Sequence, residues 1–252
     1  MSTAGVLYAT IGVHPCSCLQ FTKHDSSPDI FLAQLKALAL SAKESGHAVA
    51  FGEIGLDYDR LYLCPKDTQL EFFAKQLDVA VQVQMPLFLH SRAAHGDFVR
   101  LLKEREDRLP RRGVVHSFTG TMEEMKELVE MGWDIGVNGC SLKTAENCEV
   151  VKHIPLERLQ LETDGPWCEI RASHASSECL HDFKEEGKWK WVKKEKWEEG
   201  ALVKGRNESA LIGKVAWVVA KLKEVSLEVV CEAAWGNSVR MFGLGERERI
   251  EE

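Results

Sequence analysis

Residues 48–57 read Ala-Val-Ala-Phe-Gly-Glu-Ile-Gly-Leu-Asp, and the start of that stretch sets the pattern for the chain. Ala48 to Gly52 is a short apolar run of the kind that suits a buried parallel strand, and Glu53 follows directly at its end. The same order recurs on either side without sequence identity. Leu7 to Val13 runs into His14, Pro86 to Leu89 into His90, and Gly113 to Val115 into His116. Asp134 to Val137 is a further short run, and Leu159 to Leu161 leads to Asp164. Helix-like stretches lie between them. Phe31 to Ser45 places Leu32, Leu35, Leu38 and Ala39 on one face, and Asp67 to Gln84 opens on an acid and is apolar at Leu70, Phe73, Leu77 and Val81. Asp97 to Glu106 and Met122 to Met131 are two more, the latter stopped by Gly132. Strands alternating with helices predict βα units and a parallel sheet, hence an α/β fold.

The chain has 252 residues, 44% hydrophobic and 28% charged, which excludes a disordered or collagen-like polymer. No apolar run is long enough to span a membrane. A net charge of −7 argues against a general nucleic-acid coat protein, but leaves room for an enzyme that meets phosphate through a metal. Eight cysteines include one Cys16-Ser17-Cys18 pair with no second cluster at zinc spacing, so reduced thiols are expected. Met1 to Ala9 has no signal-peptide pattern, and an intracellular place, cytoplasmic and/or nuclear, is expected. Residues 1–252 read as one domain. Within it, 181–206 is a charged excursion with Trp189, Trp191 and Trp197, and 209–242 holds two closing helices, Ser209 to Leu222 and Leu227 to Phe242. Glu246 to Glu252 reads as a frayed end.

In a parallel barrel every C-terminal strand end opens on one mouth, so His14, Glu53, His90, His116 and Asp164 would converge there. One strand-end histidine is ordinarily a hydrogen-bonded structural residue. Five ionisable groups at equivalent positions are costly to bury without a ligand, and they point to a metal site. Glu53, His90, His116 and Asp164 offer oxygen and imidazole donors suited to Mg, Mn or Zn. A carboxylate such as Glu53 can bridge two ions, and a two-ion site activates water and stabilises a leaving oxygen. His14, followed by Pro15, reads equally as a site residue or a strand-ending turn. Arg92 is a candidate phosphate contact. Arg206, Asn207 and Glu208 read as site residues or as a helix cap. The Lys/Trp segment has the cations and aromatics of a single-strand surface, but a solvated, partly helical excursion with inward tryptophans is expected.

The motifs IGVHP (11–15), GEIGLD (52–57), PLFLHSR (86–92), GVVHSF (113–118) and TDGP (163–166), in this order, resemble the TatD family of metal-dependent deoxyribonucleases, in its eukaryotic branch. LDYDRLYLCPKDTQLEFFAKQL, NGCSLKT, ETDGPWC and KGRNES extend the resemblance from about Tyr8 to about Phe242. It implies a TIM-type (β/α) barrel of the amidohydrolase/TatD kind. It implies hydrolysis of DNA phosphodiesters by metal-activated water, 3′-5′ exonuclease-like, on single strands or 3′ ends. By the same resemblance Glu53 would bridge two divalent ions, with His90 and His116 on one. Asp164 would hold the other and orient or deprotonate the attacking water. His14 would lie near the substrate phosphate with Arg92 and Arg206 as further substrate contacts, and Asp57 would support the Glu53 loop from outside the ligand set. The family's first-strand HxH or its counterpart has no match here. The expectation is therefore an N-terminally shortened barrel lacking its first two βα units, one ion weakened, and an exposed edge at Leu7 to Val13. Two other outcomes stand beside the nuclease: an amidohydrolase-type hydrolase of small C–N or ester substrates, and a catalytically impaired relative. No obligate protein partner and no membrane association are inferred.

Overall fold

The computed structural model of the chain describes residues 7–23, 27–109, 113–184 and 189–244. The expected frayed end, the first residues of Met1 to Ala9, and 185–188 of the Lys/Trp segment lie outside the described residues. In chain order the main elements are β1 (Ala9–Ile11), α1 (Gln20–Lys23), α2 (Pro28–Glu44), β2 (Ala48–Asp57), α3 (Lys66–Val83), β3 (Leu87–Arg92), α4 (His95–Lys103), β4 (Gly113–Val115), α5 (Met122–Glu130), β5 (Asp134–Val137), α6 (Ala145–His153), β6 (Leu159–Leu161), β7 (Lys190–Val192), β8 (Ala201–Val203), α7 (Ile212–Lys223) and α8 (Leu227–Phe242). Strands and helices alternate through β6, as an α/β chain requires. Two compact units form. One takes the chain up to His116, Glu130–Asp134 and the residues from Ser238 on; the other takes Ser117–Val129 and Ile135–Asn237.

In the first unit β1 pairs with β2, β2 with β3 and β3 with β4, all parallel. α3 packs on β2 because its apolar residues recur on one face. Phe72, Phe73, Leu77 and Ala80 are buried there, at about 1.5–3 kcal/mol for each large side chain. Phe72 stacks on Phe21 of α1 and Phe73 on Phe98 of α4. Gln69 and Gln76 share the buried face, although a helix of this kind ordinarily keeps such residues in water. The helix stops where Gln84 turns left-handed, at φ 58°, just before Met85 and Pro86. In α2, Leu32, Leu35 and Ala39 are buried while Leu38 is 58% exposed. Leu38 therefore leaves the expected face; at about 100° per residue it falls roughly 120° around the helix from Leu32.

Three strands differ from the sequence reading. β1 is Ala9–Ile11, shorter at both ends than the expected run Leu7 to Val13. The run expected to end at Gly52 continues to Asp57, and Ile54, Gly55 and Leu56 pair with Leu89, His90 and Ser91. The register slips between Gly52 and Ile54, which leaves Glu53 as a bulge inside β2. Gly55 is required for that pairing: at φ 151° a Cβ would lie 1.8 Å from the His90 carbonyl oxygen. His90 likewise sits within β3 and not after it.

In the second unit β5 pairs with β6, Ile135 opposite Leu159 and Val137 opposite Leu161. Asn237 on α8 donates to the carbonyls of Leu156 and Leu159, both at 2.8 Å, and so fixes the entry to β6. Lys223 at the end of α7 donates to the carbonyls of Lys152 and Ile154 at the C-terminus of α6. The stretch expected as one helix from Ser209 begins with a 3-10 turn, Ser209–Leu211, before α7. The Lys/Trp segment is also corrected. It carries the parallel pair β7–β8, and Trp189 and Trp197 are exposed, not packed inward. Among the described residues, no helix is long and apolar enough to cross a membrane.

Candidate functional site

Glu53 is the centre of the first unit's polar cluster. The bulge turns its carboxylate out of the β2 ladder, and three imidazoles meet one oxygen. His90 Nδ1 and His116 Nε2 each lie 2.7 Å from Oε1, and His14 Nε2 lies 3.4 Å from it. His90 Nδ1 and His116 Nε2 are 3.3 Å apart. Burial by itself would push the Glu53 carboxyl up; the hydrogen bonds from His116, His14 and His90 outweigh it and hold the group far below the usual carboxylate range.

Each imidazole is aimed by its own chain segment. After β1 the chain enters a 3-10 turn, Pro15–Ser17, and His14 caps it: the Cys16 N–H donates to His14 Nδ1 at 3.1 Å. That bond places the proton of the neutral ring on Nε2, so His14 faces Glu53 as a donor. The preceding residue is clamped by Gln76, whose side chain accepts from the Val13 N–H at 2.8 Å and donates to the Val13 carbonyl at 3.0 Å. His90 is held from the other side by Asp57, with Nε2 3.3 Å from Oδ2. Burial opposes a charged His90, but Asp57 and Glu53 on its two nitrogens raise its pKa above the ordinary histidine value. Burial also works against an ionised Asp57, and His90 and Arg60 hold it down. Asp57 is fully buried, accepts from the Arg60 N–H at 3.1 Å and from its guanidinium at 3.2 Å, and has its backbone bracketed by Gln69 at 2.7 and 2.8 Å.

The donor set suits a divalent ion. His14, Glu53 and His90 each offer a ligand atom within 4.8 Å of the others, and His116 joins them on Glu53. Two nitrogens 3.3 Å apart match ligands held about 2.1 Å from one first-row ion. His90 presents Nδ1 to the centre while a carboxylate holds Nε2, the usual support for a ligating histidine. His14 fits less well as a ligand, because its Nε2 carries the proton.

The other expected site residues are placed as follows. Arg92, at the end of β3, donates through Nε to Asp59 at 2.7 Å. Asp164 belongs to the second unit. It follows β6 at φ 53° and accepts from the Cys168 thiol at 3.1 Å. Arg206 lies in the same unit, its Nε 3.5 Å from Glu208. Asn207 is the structural link there: its N–H donates to the Pro166 carbonyl at 3.0 Å and its side chain to Thr163 at 2.7 Å, so KGRNES holds the TDGP turn. Sequence reasoning missed Gln69, Gln76 and Arg60. A usable signal was present in two glutamines seven residues apart on the apolar stripe of α3.

A family model described as TatD related DNase matches residues 1–243. Deoxyribonuclease Tat-D of Schizosaccharomyces pombe is 51% identical over 234 residues, 93% of this chain and 74% of the relative. A protein of Citrobacter koseri described as a 3′-5′ ssDNA/RNA exonuclease TatD is 38% identical over 163 residues, 64% of this chain and 58% of the relative. The crystal structure of a hydrolase TatD family protein from Entamoeba histolytica superposes with a TM-score of 0.81 at 37% identity, over 94% of this chain and 74% of that one. The fold is thus that of the TatD kind of α/β barrel protein.

Proposed function

This chain belongs to the TatD related DNase family, and from that premise we propose that it is a metal-dependent deoxyribonuclease that cleaves single-stranded DNA from 3′ ends. The family match runs through both units, which supports reading residues 1–252 as one domain of that family. The observation that carries the site assignment is the convergence of His90, His116 and His14 on one Glu53 oxygen. Glu53, His90 and His116 would hold a divalent ion, Mg or Mn first and Zn as the third choice. When bound, such an ion supplies Lewis acidity toward the phosphodiester and toward water.

The chain's own groups do the rest. Asp57 keeps a proton on His90 Nε2 and so leaves Nδ1 turned to the centre. His14, its Nε2–H directed by the Cys16 amide, donates to a non-bridging phosphate oxygen. Asp164 is assigned by its TDGP motif as the second catalytic carboxylate, a ligand and proton acceptor for the attacking water. Arg206 is exposed and weakly paired, so it is the better phosphate contact of the two arginines; Arg92 must first release Asp59. An intracellular setting goes with this reading.

The test is degradation of 3′- and 5′-labelled single-stranded DNA in Mg²⁺ or Mn²⁺. We expect shortening from the 3′ end, abolition by EDTA, and a loss of at least about a hundredfold in Glu53→Ala and Asp164→Ala. Intact DNA with turnover of a phosphate-free ester would favour the amidohydrolase alternative. Ion binding with no turnover of either would mark an impaired enzyme.

A further inference from the structure

The loops that follow β5 and β6 bring two thiols together. Cys140 Sγ and Cys168 Sγ are 2.7 Å apart, and both side chains are partly exposed. The approach is built into both loops. Cys140 is fixed by its N–H on the Asn138 side chain at 2.9 Å, within a cap that Asn138 shares with Ser141. Cys168 is fixed from the Asp164 turn, where the Trp167 N–H donates to the Asp164 carbonyl at 2.8 Å. The loops touch at Gly139, where a Cβ would lie 2.0 Å from the Cys168 carbonyl oxygen. Two thiolates on one zinc ion would stand about 3.8 Å apart, whereas a disulfide needs about 2.05 Å. The observed spacing lies nearer the second.

We propose that Cys140 and Cys168 are a reversible disulfide pair that controls the candidate catalytic carboxylate Asp164 in response to small soluble disulfides. The Cys168 thiol donates to Asp164 Oδ2 at 3.1 Å, so a Cys168 thiolate would face that carboxylate, and Cys140 is the thiol that reacts first. Its thiolate attacks one sulfur of the small disulfide, giving a mixed disulfide and one thiolate. Cys168 sulfur then attacks Cys140 sulfur, the bond to the small molecule breaks, and its thiolate leaves with the Cys168 proton. Two protein thiols are oxidised, one disulfide is reduced to two thiols, and no other reactant is needed. The product removes the S–H donor from Asp164 and draws Cys168 toward Cys140. The effect on activity rests on the deoxyribonuclease reading.

The experiment treats the full chain with oxidised glutathione, alkylates remaining thiols, and maps peptides by mass while DNA cleavage is measured in parallel. The expected result is a cross-linked pair of peptides carrying Cys140 and Cys168, lighter by two hydrogens, with activity falling about tenfold. Dithiothreitol restores both. Cys140→Ser keeps the reduced activity and is insensitive to oxidant, and Cys168→Ser forms no cross-link. Glutathione adducts on both cysteines without a cross-link would overturn the pair, as would zinc retained through both thiols. A cross-link with activity changed less than about twofold would overturn control of Asp164. If the reduced chain does not cleave DNA, the deoxyribonuclease reading fails separately, and the peptide masses still decide the pair.

Discussion

Gln76→Leu isolates the support of His14 from the chemistry of the site. Gln76 is fully buried and holds both backbone groups of Val13, at 2.8 and 3.0 Å. Leucine is close to glutamine in volume, so the core stays filled while one N–H and one carbonyl lose their partners. Each orphaned group costs about 1–3 kcal/mol. Leucine returns about 1–2 kcal/mol as apolar area replaces the amide. The middle of these ranges gives a net loss of about 2.5 kcal/mol, or roughly 5–10 °C in Tm for a chain of this size. Urea unfolding in EDTA measures that loss, and Mn²⁺ titration calorimetry with DNA cleavage measures the effect on the site. Because His14 directly follows Val13, substrate turnover falls further than folded fraction alone explains. Gln82→Leu, on the exposed side of α3 where Gln82 accepts from Lys36, is the control and changes stability by less than about 0.5 kcal/mol. A Gln76→Leu loss below about 1 kcal/mol refutes the clamp. A full stability loss with unchanged turnover refutes its role in placing His14.

Asp57→Asn keeps the size of the side chain but removes the charge beside His90; Mn²⁺ affinity falls about 10–100-fold by calorimetry, and an unchanged affinity contradicts the support role. Gly55→Ala forces a methyl group against the His90 carbonyl, and stability falls by about 3 kcal/mol in chemical unfolding with ion affinity falling alongside. Lys223 gives a pH test remote from the site. Burial pushes its ammonium from 10.5 down to about 8, opposed by Glu157. The unfolded chain therefore binds more protons than the native one between those values, so stability rises with pH in that window. Discounted for partial exposure, the advantage of wild type over Lys223→Met grows by about 1–2 kcal/mol from pH 7 to 10, and an advantage that shrinks refutes it.

Much of the fold was legible because its signals are local. Apolar runs of strand length, helical stripes between them and ionisable residues at the ends place β2, β3, β4 and β6 and their neighbours in order. The oxygen and imidazole donors at Glu53, His90 and His116 were readable for the same reason, since the motifs lie within a few residues of each strand. What was not legible depends on pairing between distant segments. A bulge at Glu53 is defined only against β3, because an extra residue exists only relative to a partner strand. The exposure of Leu38, Trp189 and Trp197 depends on what packs beside them. So does the role of Gln76, 63 residues from the backbone it clamps.

By itself, the amino-acid order determined an α/β chain of parallel strands, the residues with ligand chemistry, and the family to which they belong. Tertiary structure alone decided which nitrogen of each histidine faces Glu53, that Asp57 meets His90, and that Cys140 meets Cys168. Composition and periodicity record what each residue prefers. Proton positions, carboxylate ionisation and sulfur contacts follow from atoms within about 3 Å, and only folding brings those together.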